Sequence, residues 1–263
     1  MMKLFFNRFQ IFYNYRHLLQ ELVEKDIKLK YRRSFLGYLW SILNPLLTML
    51  VLVAVFSQLF RFDIENFPVY LLCAQVLFNF MMEATNQAVF SIWGNAALLK
   101  KVYVPKYIFT LSKITSSLVN MLFSLIALLI VMFLTNTEFT GNLIFVPVIL
   151  LQLYVFCIGL GFFLAQASVF FRDVQYIYAV LTTAWTYLTP MFYPIDILPQ
   201  GLKNGVMALN PMYFYIEQFR SVVLYGVFPA ADLIIKGCAV AILFLIVGMA
   251  CFLKTQDKFI LYI

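Results

Sequence analysis

Six runs of apolar residues, at roughly 39–60, 69–90, 108–134, 143–171, 177–193 and 233–253, occupy most of this chain and leave little else from which to build a fold. A helix needs about 20 apolar residues to cross the ~30 Å hydrocarbon layer of a bilayer. The expected fold is therefore all-α, an integral membrane protein with six transmembrane helices. At 263 residues, six spans leave no room for a separate soluble domain, so 1–263 reads as a single transmembrane unit. Composition agrees: 63% of the residues are hydrophobic and 12% charged, against about 25% charged in an average soluble domain.

The connections alternate in charge. The first 38 residues hold eight Lys or Arg, and the second connection holds Lys100, Lys101 and Lys106. The first connection has only Arg61, set against Asp63 and Glu65, and the third has no basic residue. Lys and Arg beside a span stay on the inner face, which places both termini in the cytoplasm, with Lys254 and Lys258 after the last span. That bias explains most of the net charge of +7, so the charge is no argument for nucleic acid. The first run of spanning length begins only near residue 39, unlike the early apolar core of a signal peptide, and residues 1–30 are expected in the mature protein. Cys73, Cys157, Cys238 and Cys251 sit in apolar runs without metal-ligand spacing and read as small buried apolar residues.

The N-terminal segment and the connections carry the local signals. In residues 5–29, Ile11, Phe12, Tyr15, Leu18, Leu19, Leu22, Val23 and Leu29 share one side of a helix, while Asn14, His17, Glu21, Glu24 and Lys28 share the other. This is the pattern of a helix lying on the membrane interface. Asp26 falls inside the apolar arc, where either the helix bends or Asp26 meets a protein partner. Arg32 and Arg33 then lead into the first span, Gly37 and Trp40 turn the chain into the bilayer, and Pro45 is expected to open a local break. In the second connection, residues 95–103 between Gly94 and Pro105 are either about two turns of helix across the cytoplasmic face or an ordinary basic loop. The fourth connection, FFRDVQ with Arg172 and Asp173, is a tight hairpin. Residues 189–225 combine four prolines with apolar pieces too short to span and too apolar for a free loop. Irregular backbone at membrane depth requires protein or a water-filled cavity around it, so these pieces read as re-entrant half-helices plugging an outer mouth. Glu217 and Arg220 stand one turn apart there, placed for a simple ion pair or for gating.

Membrane-embedded catalysis would call for clustered carboxylates, a Cys/His pair or a metal site. The charged residues inside the spans amount to little more than Glu83 and Lys113, neither with an evident partner, and Glu83 reads either as functional or as a helix-packing contact. A phosphate loop of the form G-x-x-x-x-G-K-[ST] is missing, so active transport would draw its energy from another chain.

Four separated segments carry a family resemblance. YRRSFLGYLWSILNPLLTM, then LLKKVYVPK, then FFRDVQYIYAVLTTAWTYLTPMFYPIDILP, then NPMYFYIEQFRSVVL resemble the membrane subunit of type-2 ABC exporters for polysaccharides and polyol phosphates, the family of O-antigen, capsule and wall teichoic acid permeases. The resemblance implies a homodimer docked on two copies of a separate ATP-binding subunit, exporting a lipid-linked glycan across the bacterial cytoplasmic membrane. ATP and Mg would sit on that partner, and this chain would bind no cofactor or metal. Residues 94–105 become the coupling helix, contacting the ATPase through Asn95, Leu98, Leu99, Lys100, Lys101, Val102 and Tyr103, with the Arg172/Asp173 hairpin as a secondary contact. Along the pathway, Arg32 and Arg33 would meet an anionic lipid head at the inner gate. Trp40, Phe56, Phe78, Phe80, Trp185, Tyr187, Phe192 and Tyr193 would offer platforms to sliding sugar rings, although each also fits an interfacial belt or the core. Half-helices broken at Pro190, Pro194 and Pro211, beside Glu217 and Arg220, would part to release the polymer. Two other readings remain at this stage: a teichoic-type polyol phosphate as cargo, or a membrane enzyme of glycolipid assembly.

Overall fold

A computed structural model of the chain describes residues 13–32, 34–59, 64, 66–101 and 104–263. Residues 5–12 of the expected interfacial helix, Arg33, Val102 and Tyr103 lie outside the described residues. Among those described, all regular structure is helical. Helix α1 (Arg16–Lys30) leads through a 3-10 turn at Gly37–Leu39 into α2 (Trp40–Leu59) and then α3 (Phe67–Phe90). A second 3-10 turn and the one-turn α4 (Ala96–Leu99) precede α5 (Tyr107–Leu134). The C-terminal half comprises α6 (Val146–Phe170), α7 (Val174–Leu188), α8 (Gln200–Leu209), α9 (Pro211–Val223) and α10 (Ala231–Thr255).

Among the described residues, five helices, namely α2, α3, α5, α6 and α10, are long and apolar enough to cross a bilayer. The run expected at 177–193 forms only α7, whose 15 residues reach about 22 Å at ~1.5 Å per residue. Thr189 leaves the helix for extended backbone because the ring of Pro190 disfavours the α conformation in the residue before it.

Helix α3 is the centre of the bundle, buried without interruption from Val69 through Phe78, a stretch whose side chains are apolar apart from Tyr70 and Gln75. Helices α5, α6 and α9 surround it, and α10 packs on the far side of α6. There Gly159 and Gly248 bring two backbones together: a Cβ added at Gly248 would lie 1.9 Å from the Gly159 carbonyl oxygen. Small residues allow such approaches in membranes, where packing rather than water drives association. Helices α2 and α7 are peripheral. The described side chains of α2 bury only Ser41, Pro45 and Met49, a stripe spaced by four residues, and α7 buries only Tyr178 and Thr182.

The bundle's two ends are tied differently. At the end holding α4, Ile92, Leu99, Phe109, Phe162, Phe252 and Phe259 form one cluster. At the opposite end, loops are held by polar side chains: the amide of Asn66, itself in left-handed backbone at φ 49°, donates to Thr135 and Thr137, and Asn142 donates to the carbonyl of Gly226 at 2.7 Å. Gly37 also adopts positive φ, +50°, which lets the chain turn from α1 into α2 where a side chain would be strained. The break expected at Pro45 is absent, and α2 runs through it. Proline has no N–H to offer the Ser41 carbonyl, and the Ser124 hydroxyl donates to that oxygen instead, at 3.2 Å. Cys73 and Cys157 are buried, whereas Cys238 and Cys251 are partly exposed.

Replacing Gly248 with Ala is expected to cost about 1–3 kcal/mol through overpacking, read as a lower melting temperature of the detergent-purified protein. Gly94→Ala, with nothing within 4 Å of the new Cβ, serves as the control. Equal melting of the two variants would contradict the close α6–α10 approach.

Candidate functional site

The amphipathic pattern of the N-terminal segment determines how α1 docks. Leu18, Leu19, Leu22, Val23 and Asp26 are partly buried, while Asn14, His17, Glu21, Glu24 and Lys28 are exposed, and Leu29, expected on the apolar face, is exposed at the end of the helix. Asp26 sits in the apolar arc because it meets Lys113 of α5, with Nζ to Oδ1 at 2.7 Å. One turn on, Lys30 meets Glu83 of α3 at 2.7 Å. Both charges that lacked an evident partner in the sequence are therefore answered by α1. Further contacts complete the network: the same Glu83 oxygen accepts from Gln87 and from Asn120, each at 3.0 Å, and Asn120 accepts from the Tyr31 hydroxyl at 3.2 Å.

This network forms one wall of a cleft of ≈ 310 Å³ between α1, α2, α3 and α5. Trp40, Ser41, Asn44 and Pro45 line it from α2, Asn79 and Phe80 from α3, and Ser117, Asn120 and Ser124 from α5. Of the described residues expected along a pathway, Trp40 and Phe80 line this cleft. Arg32 is exposed nearby. The polar lining residues went unnoticed in the sequence because single Asn and Ser residues inside apolar runs carry no pattern of their own.

The end holding α4 is a second candidate surface. A 3-10 turn at Trp93–Asn95 and the turn of α4 together make the expected pair of turns, beginning earlier and ending sooner than 95–103. Leu98, Lys100 and Lys101 are exposed, and Asn95 donates back to the Ser91 carbonyl at 2.8 Å. Leu99 does not face outward as expected. It is 6% exposed and belongs to the cluster with Phe109 and Phe259, since consecutive residues on a helical turn point about 100° apart. The C-terminal 3-10 segment Gln256–Leu261 closes this cluster from below, with Lys106 donating to the Gln256 carbonyl. Burial lowers the Lys106 pKa from its ordinary value, and Asp257 opposes that shift. Arg172 and Asp173 are exposed in the α6–α7 hairpin.

At the opposite end, the irregular segment after α7 is held by one side chain. Arg220 of α9, 1% exposed, donates to the carbonyls of Pro190 at 2.9 Å, Met191 at 3.2 Å and Tyr70 at 3.3 and 3.4 Å. Its guanidinium lies 3.4 Å from the centre of the Tyr70 ring. The Glu217 pairing is marginal, at 4.0 Å. Asn210 separates α8 from α9: it caps Met212 N–H at 3.1 Å, accepts from Trp185 Nε1 at 2.8 Å and donates to Thr189 at 3.0 Å. Pro211 occupies the first turn of α9, where its missing N–H costs nothing. Phe192 stacks on Phe56 at 5.4 Å, and the Tyr193 hydroxyl donates to the Tyr187 carbonyl. Tyr187 is exposed, but Phe78, 1% exposed and edge-on to Trp185, belongs to the core rather than to any surface a ligand could reach.

The profile of the ABC-2 type transporter family matches residues 17–224, from α1 through the end of α9. The chain belongs to that family. The O-antigen export system permease protein RfbA of Myxococcus xanthus is 31% identical over 248 residues, covering 94% of this chain and 95% of the relative. RfbA of Klebsiella pneumoniae is 26% identical over 243 residues, covering 92% and 93%. The capsule polysaccharide export inner-membrane protein CtrC of Neisseria meningitidis is 24% identical over 212 residues, 78% of each chain. The ABC-2 family match thus takes in the α1 docking network, the polar cleft, α4 and the Arg220 clamp.

Arg220→Lys is expected to destabilise this ABC-2 protein, because an ammonium lacks the planar fork that reaches several carbonyls, and each buried acceptor left unpaired costs about 1–3 kcal/mol. Thermal melting in detergent measures the loss. Glu217→Gln, which leaves the carbonyl contacts intact, should melt close to the parent; the opposite ranking would assign the dominant role to the ion pair.

Proposed function

We propose that this chain is the membrane-spanning permease of an ATP-driven exporter that carries a lipid-linked polysaccharide, of O-antigen or capsule type, out across the bacterial cytoplasmic membrane. The observation carrying this reading is the nearly end-to-end match to a permease named for O-antigen export, on a bundle in which five of the described helices are long and apolar enough to cross a bilayer. A separate ATP-binding subunit, present twice and holding ATP and Mg, supplies the energy. Its motion enters through the 93–101 segment, where exposed Leu98 offers an apolar contact flanked by Lys100 and Lys101, while Leu99 anchors the same turn to the bundle. The polymer crosses between two copies of the chain. Exposed Asn44 and Thr48 on α2 and Asn79 on α3 favour a polar neighbour over lipid on that side. Basic residues around α1, α4 and the last helix support cytoplasmic termini, with α8 and the prolines before it on the outside.

Deleting the gene is expected to abolish surface glycan and trap lipid-linked polymer inside the cell; surface glycan unchanged in the deletion strain would refute the export reading. Leu98→Asp should reduce export by about tenfold or more, since a charge forced into an apolar contact costs more than about 1.4 kcal/mol, with normal amounts of protein in the membrane. Full export in that variant would remove Leu98 from the coupling contact. In a background lacking the four native cysteines, a cysteine at Lys100 should label only from the cytoplasm and one at Gly201 only from outside. The reverse labelling would invert the topology.

A further inference from the structure

We propose that the cleft between α1, α2, α3 and α5 is a subsite for one uncharged pyranose ring of the exported glycan. The proposal rests on the export reading and adds to it where a sugar is held and which chemistry selects it.

Hydrogen-bonding capacity inside the cleft exceeds what the protein itself uses. Asn79 is exposed into the cleft and makes no hydrogen bond among the described residues. Asn44 accepts only from Thr48, at 3.5 Å, and its amide nitrogen donates to nothing described. Glu83 concentrates three donors on one carboxylate oxygen, leaving the second oxygen open. A hydroxyl donates one proton and accepts through two lone pairs, while an amide offers both kinds of partner side by side. Two unfilled amides and a free carboxylate oxygen therefore suit adjacent hydroxyls of a sugar. Trp40, 43% exposed, also lines the cleft, one turn before Asn44 on α2, and offers an indole face onto which the C–H face of a pyranose can pack.

Charge decides between a sugar and the other polar part of a lipid-linked glycan, its phosphate. Among the described residues, the only cation lining the cleft is Lys30, and Glu83 neutralises it at 2.7 Å. A phosphate entering the cleft would face the Glu83 carboxylate with no unpaired cation among the described lining residues to offset it. Exposed Arg32 lies outside the lining. Size sets the number of rings. At ≈ 310 Å³, the cleft sits at the low end of the about 300–1,000 Å³ usual for ligand pockets, room for a single ring rather than a length of polymer. Reading one ring beside the docking site of α1 would let the permease discriminate among glycans by the sugar presented there.

The test uses the full chain in lipid nanodiscs and saturation-transfer NMR with the methyl glycosides of glucose, galactose, mannose, rhamnose and N-acetylglucosamine, alongside inorganic pyrophosphate followed by phosphorus NMR. At least one glycoside should receive saturation. Asn79→Leu and Trp40→Ala should each reduce that transfer by about fivefold or more, the effect of losing one hydrogen bond or the stacking wall. Asn79→Leu should do so without lowering the melting temperature, because no internal bond is lost. Binding of none of the glycosides, binding indifferent to both variants, or pyrophosphate binding that Glu83→Gln strengthens would each overturn the subsite. None of those results touches the export reading, which fails separately if cells deleted for the gene still display their glycan.

Discussion

The bundle depends on how the backbone around Pro190 is satisfied. Two prolines four residues apart end α7 early and leave carbonyls without helical donors in a region buried by protein and membrane, where an unpaired polar group is expensive. Arg220 meets this demand: one guanidinium serves Pro190, Met191 and the Tyr70 carbonyl of the central helix while lying on the Tyr70 ring. The clamp joins α9, the segment after α7, and α3. Asn210 extends the same arrangement to Trp185 and Thr189. Helix α9 is consequently part of the core rather than a flap over it, buried from Met212 through Ile216 and again at Gln218 to Arg220, while α8 buries only Val206.

At the other end, the same requirement is met by ion pairs and a shared apolar cluster. Asp26–Lys113 and Lys30–Glu83 pin α1 along α5 and α3, and the Ser124 hydroxyl fills the hydrogen-bond gap that Pro45 leaves in α2. Leu99 links the α4 turn to α5, α6, α10 and the C-terminal segment through a single cluster. The α4 turn therefore shares one apolar cluster with several long helices.

Much of this was legible in the chain. The span-length runs located four of the five long helices to within a few residues and the fifth, α2, at its start, and the three-and-four spacing of residues 14–28 correctly predicted which face of α1 is exposed. The prolines marked where α7 stops and where α9 begins. What pattern could not resolve was direction at single positions. Leu98 and Leu99 are the same residue type side by side, yet one is exposed and the other is core. Phe78 was a sugar platform on the family resemblance and is instead buried in the core, edge-on to Trp185. Glu83 and Lys113 looked unpartnered because their partners lie 53 and 87 residues away in sequence.

The sequence by itself determined class and family: long apolar runs in water-free surroundings must be helices, basic flanks bias orientation, and four separated motifs resemble one transporter family. Only the tertiary structure decided which polar groups meet. Hydrogen bonds and ion pairs are short-range and directional, so a buried Arg serving three carbonyls, or a polar cleft assembled from four helices, has no signature along the chain until the helices are brought together.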